Sequence, residues 1–345
     1  QMPLSPNGKL DRKALPKAAA TQHYEAPQSA LEQRIAAIWA DVLGVEQVGL
    51  NDNFFERGGD SIISIQVVSR ARAAGIHFNA KALFQHQTVR SLARVAQLQA
   101  KQMIDQGPVQ GETPLLPFQQ LFFELDLPDR HHWNQSLLLT PRQPLQGHLL
   151  EAALQSVIQH HDVLRLRFSE SADGWRARHD APPTALLWQE PVQSDAELLA
   201  LCERAQRSLD LQNGPLLRAV LAEMADGTQR LLLVMHHLVV DGVSWRIVLE
   251  DLQSLYLQHK LPAKTSSFKH WAERLQAHAR SEAAQPEKDF WLQQLQGAAP
   301  DVPCRDPHGA RPGRLAQTVV SQLDAERTHQ LLQQTPTAYR TQIND

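Results

Sequence analysis

Near residue 113 the hydrophobic period of this 345-residue chain changes, and that change limits what it can fold into. Upstream, Leu31, Ile35, Ile38, Trp39, Val42 and Leu43 recur at helical spacing and stop at Gly44, which predicts a helix ended by a glycine cap. Asp60 and Ser61 precede Ile62, Ile65 and Val68 with N-cap chemistry, and Val89, Leu92, Ala93 and Ala96 make the buried stripe of a last helix. Residues 28–101 are therefore expected to form a small helical bundle. Downstream, 135–139 reads as a strand, 149–159 as a helix and 163–168 as an alternating strand. Segments 216–223 and 230–236 flank Asp226-Gly227 as a hairpin, and a helix with Val248, Leu252, Leu255 and Tyr256 on one face follows. This half predicts a mixed α/β fold without internal repeats.

Linker composition brackets the bundle. Residues 1–27 combine Pro3, Pro6 and Asn7-Gly8 with Lys9, Arg12, Lys13 and Lys17 and an alanine run, and 106–112 carries two glycines. Segment 298–313, rich in proline and glycine, is expected to be an exposed crossing loop. A hydrophobic fraction of 42% with seven Trp excludes wholesale disorder. A net charge of -3 argues against a nucleic-acid partner. The apolar run 231–240 is too short to cross a bilayer and contains two histidines, so no membrane span is expected. Two cysteines, Cys202 and Cys304, cannot make a disulfide framework, and no apolar signal region opens the chain. A cytoplasmic protein is the expectation, with both ends reading as cuts within a longer polypeptide.

In Phe54-Phe55-Glu56-Arg57-Gly58-Gly59-Asp60-Ser61, paired aromatics anchor a loop, two glycines permit a tight backbone and a serine opens a helix. On spacing alone, Asp60-Ser61 is an N-cap. A helix N-terminus also presents free N–H groups and a positive dipole end, where a phosphodiester on Ser61 would be well placed. The segment Gly58-Gly59-Asp60-Ser61 in a bundle of this size resembles the peptidyl carrier domain of nonribosomal peptide synthetases, although Arg57 stands where that family usually has Leu. The resemblance implies phosphopantetheine attached covalently to Ser61, its thiol holding the growing chain as a thioester, and a phosphopantetheinyl transferase as partner. Pro6-Asn7-Gly8-Lys9-Leu10-Asp11-Arg12-Lys13 resembles the last motif of an adenylation domain, where Lys9 would serve adenylate formation; without the rest of that domain it reads as a solvated basic turn.

Three His-His doublets need separating. His160-His161 ends a helix, where histidine complements the dipole, and His131-His132 sits at a strand entrance; both read as structural. His236-His237 instead ends an apolar strand and leads through Leu238-Val239-Val240-Asp241-Gly242 into an apolar helix, carrying two imidazoles from a core strand into a loop. Imidazole, with an ordinary pKa of about 6.5, exchanges protons near neutrality. Adjacent rings point to opposite sides of a strand and the H-E-x-x-H spacing is missing, so no metal is expected. No G-x-S-x-G elbow supports a serine hydrolase.

The heptad from His236 to Gly242 resembles the H-H-x-x-x-D-G motif of the condensation-domain superfamily, a two-lobed fold like chloramphenicol acetyltransferase. Its continuation Val243-Ser244-Trp245-Arg246-Ile247 is similar to epimerization domains, as are 116–124, His132-Trp133-Asn134-Gln135-Ser136 and 339–345. The whole is then multidomain: an adenylation remnant (1–17), a linker (18–27), an all-α four-helix carrier (28–101), a second linker (102–112) and an α/β lobe of acetyltransferase-like fold with the start of a second lobe (113–345). The resemblance implies L-to-D inversion at the α-carbon of an aminoacyl or peptidyl thioester on Ser61, between an upstream adenylation and a downstream condensation domain. His237 would transfer the proton or stabilise an enolate oxygen, while His236 packs or orients its neighbour. Asp241, two residues short of a helix, would anchor the loop, with Ser244 supporting it and Arg246 a possible partner. Gly242 would let backbone approach the channel. The family's opposing glutamate is expected beyond Asp345. Two alternatives are peptide-bond formation between carrier-bound substrates and an inert carrier or docking fragment.

Overall fold

The computed structural model describes residues 24–98, 104–298, 317–335 and 338. The readings on Lys9, residues 1–17, Cys304 and 339–345, and nearly all of the 298–313 loop, lie outside the described residues. The chain divides into two compact units, one running to Arg280 and the other starting at Ser281.

The first unit opens with the predicted bundle: α1 (Ala30–Leu43), α2 (Ser61–Ala73), β1 (Ile76–His77), α3 (Ala80–Gln85), α4 (Val89–Val95) and β2 (Gln97–Leu98). A capping box starts α1, in which the Ser29 hydroxyl accepts from the Glu32 N–H and the Glu32 carboxylate accepts from the Ser29 N–H at 2.8 Å. Gly44, at φ 66°, ends it as the sequence implies. Ile35, Trp39, Val67, Leu83, Val89 and Leu92 close over Phe54, which touches Trp39 at 4.9 Å between ring centroids. Phe54 thus pins the loop before α2 into the bundle core, and burial of one such ring contributes about 1.5–3 kcal/mol.

The α/β lobe follows as β3 (Gly111–Thr113), α5 (Pro117–Glu124), β4 (Asn134–Leu139), α6 (Gly147–His160), β5 (Leu166–Ser171), β6 (Gly174–His179), β7 (Leu187–Val192), α7 (Asp195–Gln206), β8 (Leu217–Met224), β9 (Gln229–His236), α8 (Gly242–Tyr256) and α9 (Phe268–Ala279). One sheet runs β4-β9-β8-β7, antiparallel except for the β7–β8 pair that α7 connects; a smaller antiparallel sheet runs β3-β6-β5. Leu233 and Met235 of β9 pack with Leu154 of α6 and Val248 and Leu252 of α8, whereas Leu232 and Val234 face Leu201 and Ala205 of α7. A strand covered on both faces is apolar on both, which accounts for residues 231–235 of the apolar run. Among the described residues no helix is long and apolar enough to cross a membrane.

Two expectations need correcting. Residues 163–168 are not one strand, because Asp162–Arg165 form a 3₁₀ turn before β5. Asp162 and Arg165 form a buried ion pair three residues apart, a spacing that a turn closes and a strand does not. Nor is 106–112 all linker, since Gly111 and Glu112 pair with β6. The second unit contains α10 (Gln285–Leu295) and α11 (Ala325–His329), with Phe290, Trp291 and Leu292 of α10 exposed. Cys202 is a free, half-buried thiol on α7, and burial pushes its pKa up.

Candidate functional site

Ser61 is exposed at the first position of α2. Asp60 caps the helix, its Oδ1 accepting from the N–H groups of Ile62 at 2.8 Å and Ile63 at 2.6 Å. Those two donors are therefore not open to a phosphodiester, and what the helix end offers an anion is its dipole. Gly58 sits at φ +99°. A Cβ on Gly59 would lie 2.4 Å from the Phe54 ring and 2.6 Å from its carbonyl oxygen, so only glycine lets the chain pass that close. Gly59→Ala should destabilise the bundle by about 1–3 kcal/mol, measured as a lower urea midpoint. Arg57, in the position that departs from the carrier pattern, pairs with the buried Asp52 at 2.8 Å. An exposed hydroxyl beside a fixed, glycine-built turn fits a covalently attached arm.

The histidine loop extends the β4–β9 ladder, since the His237 N–H donates to the Trp133 carbonyl at 2.8 Å. His236 is buried. Its Nδ1 accepts from the Leu238 N–H at 3.2 Å, so its Nε2 carries the proton and donates to the Arg130 carbonyl at 2.8 Å. Desolvation pushes its pKa down to about 4, and Phe122 and Trp133 stand edge-on to the ring. His236 is thus a neutral strut. Folding resists its protonation whereas the unfolded chain does not, so stability falls as pH drops through about 6.5 and levels off below 4. Between pH 7.5 and 5.0 the loss should be about 2 kcal/mol in chemical unfolding, and His236→Gln should remove that share of the slope.

His237 turns the other way, into a half-buried setting against Trp133, with ring centroids 4.6 Å apart. Its Nδ1–H donates to the Val240 carbonyl at 2.8 Å, which leaves the lone pair on Nε2. The Gln135 amide nitrogen lies 3.4 Å from that Nε2, and the Gln135 Oε1 accepts from the Trp245 indole N–H at 2.9 Å. An oriented imidazole lone pair with a steered amide beside it can take and return a proton.

The loop ends in a cap. Asp241 directly precedes α8, and its Oδ1 accepts from Val243 N–H at 3.1 Å, Ser244 N–H at 2.8 Å and the Ser244 hydroxyl at 2.7 Å. Burial pushes the Asp241 carboxyl up, but these bonds outweigh it and hold its pKa below the usual carboxylate range. Arg246 does not pair with Asp241, which lies five positions back and off its face of α8; its guanidinium lies 3.8 Å from Asp60 Oδ2. Among the described residues a Cβ on Gly242 would meet nothing within 4 Å, and no contact there requires glycine.

In the other doublets His131 Nδ1 accepts from the Leu211 N–H at 3.0 Å, and His161 Nε2 bonds Asp251 at 2.7 Å. Sequence reasoning assigns no role to Gln119, Gln135 or Trp245, which the structure brings to the loop. Buried Gln119 donates to the Leu238 carbonyl at 3.3 Å and so holds the loop from α5. Gln135 shares a face of β4 with Leu137 and Leu139, which pack against the lobe core, and a polar residue in phase with them offers a weak signal.

A family model described as the condensation domain matches residues 109–345, and one described as the phosphopantetheine attachment site matches 33–96. The chain belongs to the condensation-domain family and carries a carrier domain whose cofactor is covalently attached phosphopantetheine. It is 46% identical to one linear gramicidin synthase polypeptide of Brevibacillus parabrevis and 42% identical to another. Each comparison covers 100% of this chain, which spans 5% and 7% of those relatives respectively. Among solved structures, the epimerization domain from the third module of tyrocidine synthetase B is similar at a TM-score of 0.63 and 33% identity, over 70% of this chain and 57% of that one.

Proposed function

We propose that the lobe inverts the α-carbon of an aminoacyl or peptidyl thioester carried on Ser61. The observation that carries this reading is the fixed tautomer of His237, whose Nδ1–H is committed to the Val240 carbonyl so that Nε2 keeps the lone pair of a base. The likeness to a solved epimerization domain supports it. The arm supplies a thioester, which acidifies the α-hydrogen of what it holds. In this reading Nε2 accepts that proton or returns it, and the Gln135 amide steers the ring. His236 holds the loop from beneath, and Asp241 with Ser244 fixes where α8 begins. The opposite face of the substrate would be served by a glutamate of the second lobe.

The alternative, joining two carrier-bound substrates, would use the same Nε2 on an amine nucleophile, and the match to the condensation model keeps it in view. The two part on one measurement: the complete module, with Ser61 loaded with an L-aminoacyl pantetheine in deuterated water. Exchange of the α-hydrogen without a second acyl donor supports inversion; no exchange, with product formed only when a donor is added, supports condensation.

A further inference from the structure

Two ion pairs join the carrier to the lobe, and their signs are crossed. On α2, acidic Asp60 at the head faces Arg246 of α8 at 3.8 Å, and basic Arg70 near the tail faces Glu250 of α8 at 3.2 Å. Arg246 and Glu250 are one helical turn apart, so they present opposite charges on one face of α8. Turning the carrier end for end would set Asp60 against Glu250 and Arg70 against Arg246, acid on acid and base on base. Ile65 and Ile247, each more than two-fifths exposed, line a cleft of about 550 Å³ between the two helices. Such an open seam, lined by half-exposed apolar side chains, suits a carrier that comes and goes. Ser61 adjoins Asp60, and α8 begins at the Asp241 cap that ends the His237 loop, so the first ion pair brings the arm's attachment point to the helix leading from the site.

We infer that Asp60–Arg246 and Arg70–Glu250 form an orientation lock through which the lobe accepts its own carrier with Ser61 toward the histidine loop. Arg70 and Glu250 are its positioning residues; the inference rests on Ser61 as the attachment point and on the proposed inversion. Exposed pairs of this kind contribute orientation and encounter rate more than affinity, and salt weakens them.

Zero-length carbodiimide coupling in the full chain tests the lock without relying on activity. In the Arg70→Lys variant, the introduced amine should couple both to Asp41, its exposed neighbour within the carrier, and to Glu250, as read by peptide mass spectrometry. The cross-link to Glu250 should fall about tenfold in 1 M salt and vanish in Arg70→Lys/Glu250→Gln, while the cross-link to Asp41 persists as proof that the amine is reactive. In the loaded module, Glu250→Lys should slow α-hydrogen exchange of the Ser61-bound substrate about tenfold and leave free aminoacyl pantetheine unaffected, and Arg70→Glu/Glu250→Lys should restore it. Coupling to Asp41 without any coupling to Glu250 overturns the lock, as does failure of the exchanged pair to restore a rate that Glu250→Lys has lowered. If the parent module exchanges neither substrate, the inversion reading fails while the coupling result still decides the lock.

Discussion

His237→Ala should slow α-hydrogen exchange in a loaded module by about a hundred- to ten-thousand-fold while Ser61 still loads normally, because a positioned acid or base supplies that much of a proton transfer. The geometry makes the expectation specific. The His237 ring is held by Val240 on one nitrogen and approached by Gln135 on the other, so alanine removes the loop's one imidazole whose Nε2 is not bonded to main chain. His236 cannot take over, because both its nitrogens are bonded to main chain and its pKa is pushed down to about 4. Exchange at the parent rate in His237→Ala, with the fold intact by circular dichroism, would show the lobe to be a docking platform. Gln135→Leu should give a smaller loss, since it removes the steering amide and leaves the base.

Ser61→Ala should abolish cofactor attachment altogether. Incubation with coenzyme A and a phosphopantetheinyl transferase should add the mass of phosphopantetheine to the parent chain and nothing to the variant. The substitution leaves the helix intact because Asp60, not Ser61, accepts the bonds that start α2, so stability should change by less than about 0.5 kcal/mol. A mass gain in Ser61→Ala would mean that another hydroxyl carries the arm. Ser64 is the nearest other serine of α2, but it is fully buried and its hydroxyl donates to the Ser61 carbonyl at 2.7 Å.

The residues make some of this legible and hide the rest for identifiable reasons. Gly44, Asp60 and the Asp226-Gly227 turn act through neighbours one to four positions away, so sequence spacing is enough to place them. The His236–Gly242 loop is recognisable because its chemistry is contiguous. Gln119 and Gln135 are not, because each acts across more than a hundred residues of chain and an isolated glutamine carries no periodic signal. Arg246 departs from its expected partner for a related reason: Asp241 is nearer in sequence, but a spacing of five does not put two side chains on one face of a helix, and Arg246 reaches Asp60 from a distant part of the chain. The 162–165 turn is hidden because alternating Val163, Leu164, Arg165 and Leu166 reads as a strand until the tertiary structure buries Asp162 beside Arg165 and Lys264.

The Val240 carbonyl that orients His237 belongs to the main chain. No replacement of a partner side chain can remove it, which distinguishes this loop from sites where a carboxylate sets the tautomer and one substitution abolishes it. The tautomer of His237 therefore changes only if the turn itself moves, for instance through proline or a change in loop length. Leu238, Val239 and Val240 are buried in the lobe core, so a substitution that repacks the core there also displaces the carbonyl, and the tautomer of His237 is tied to the packing beneath its loop.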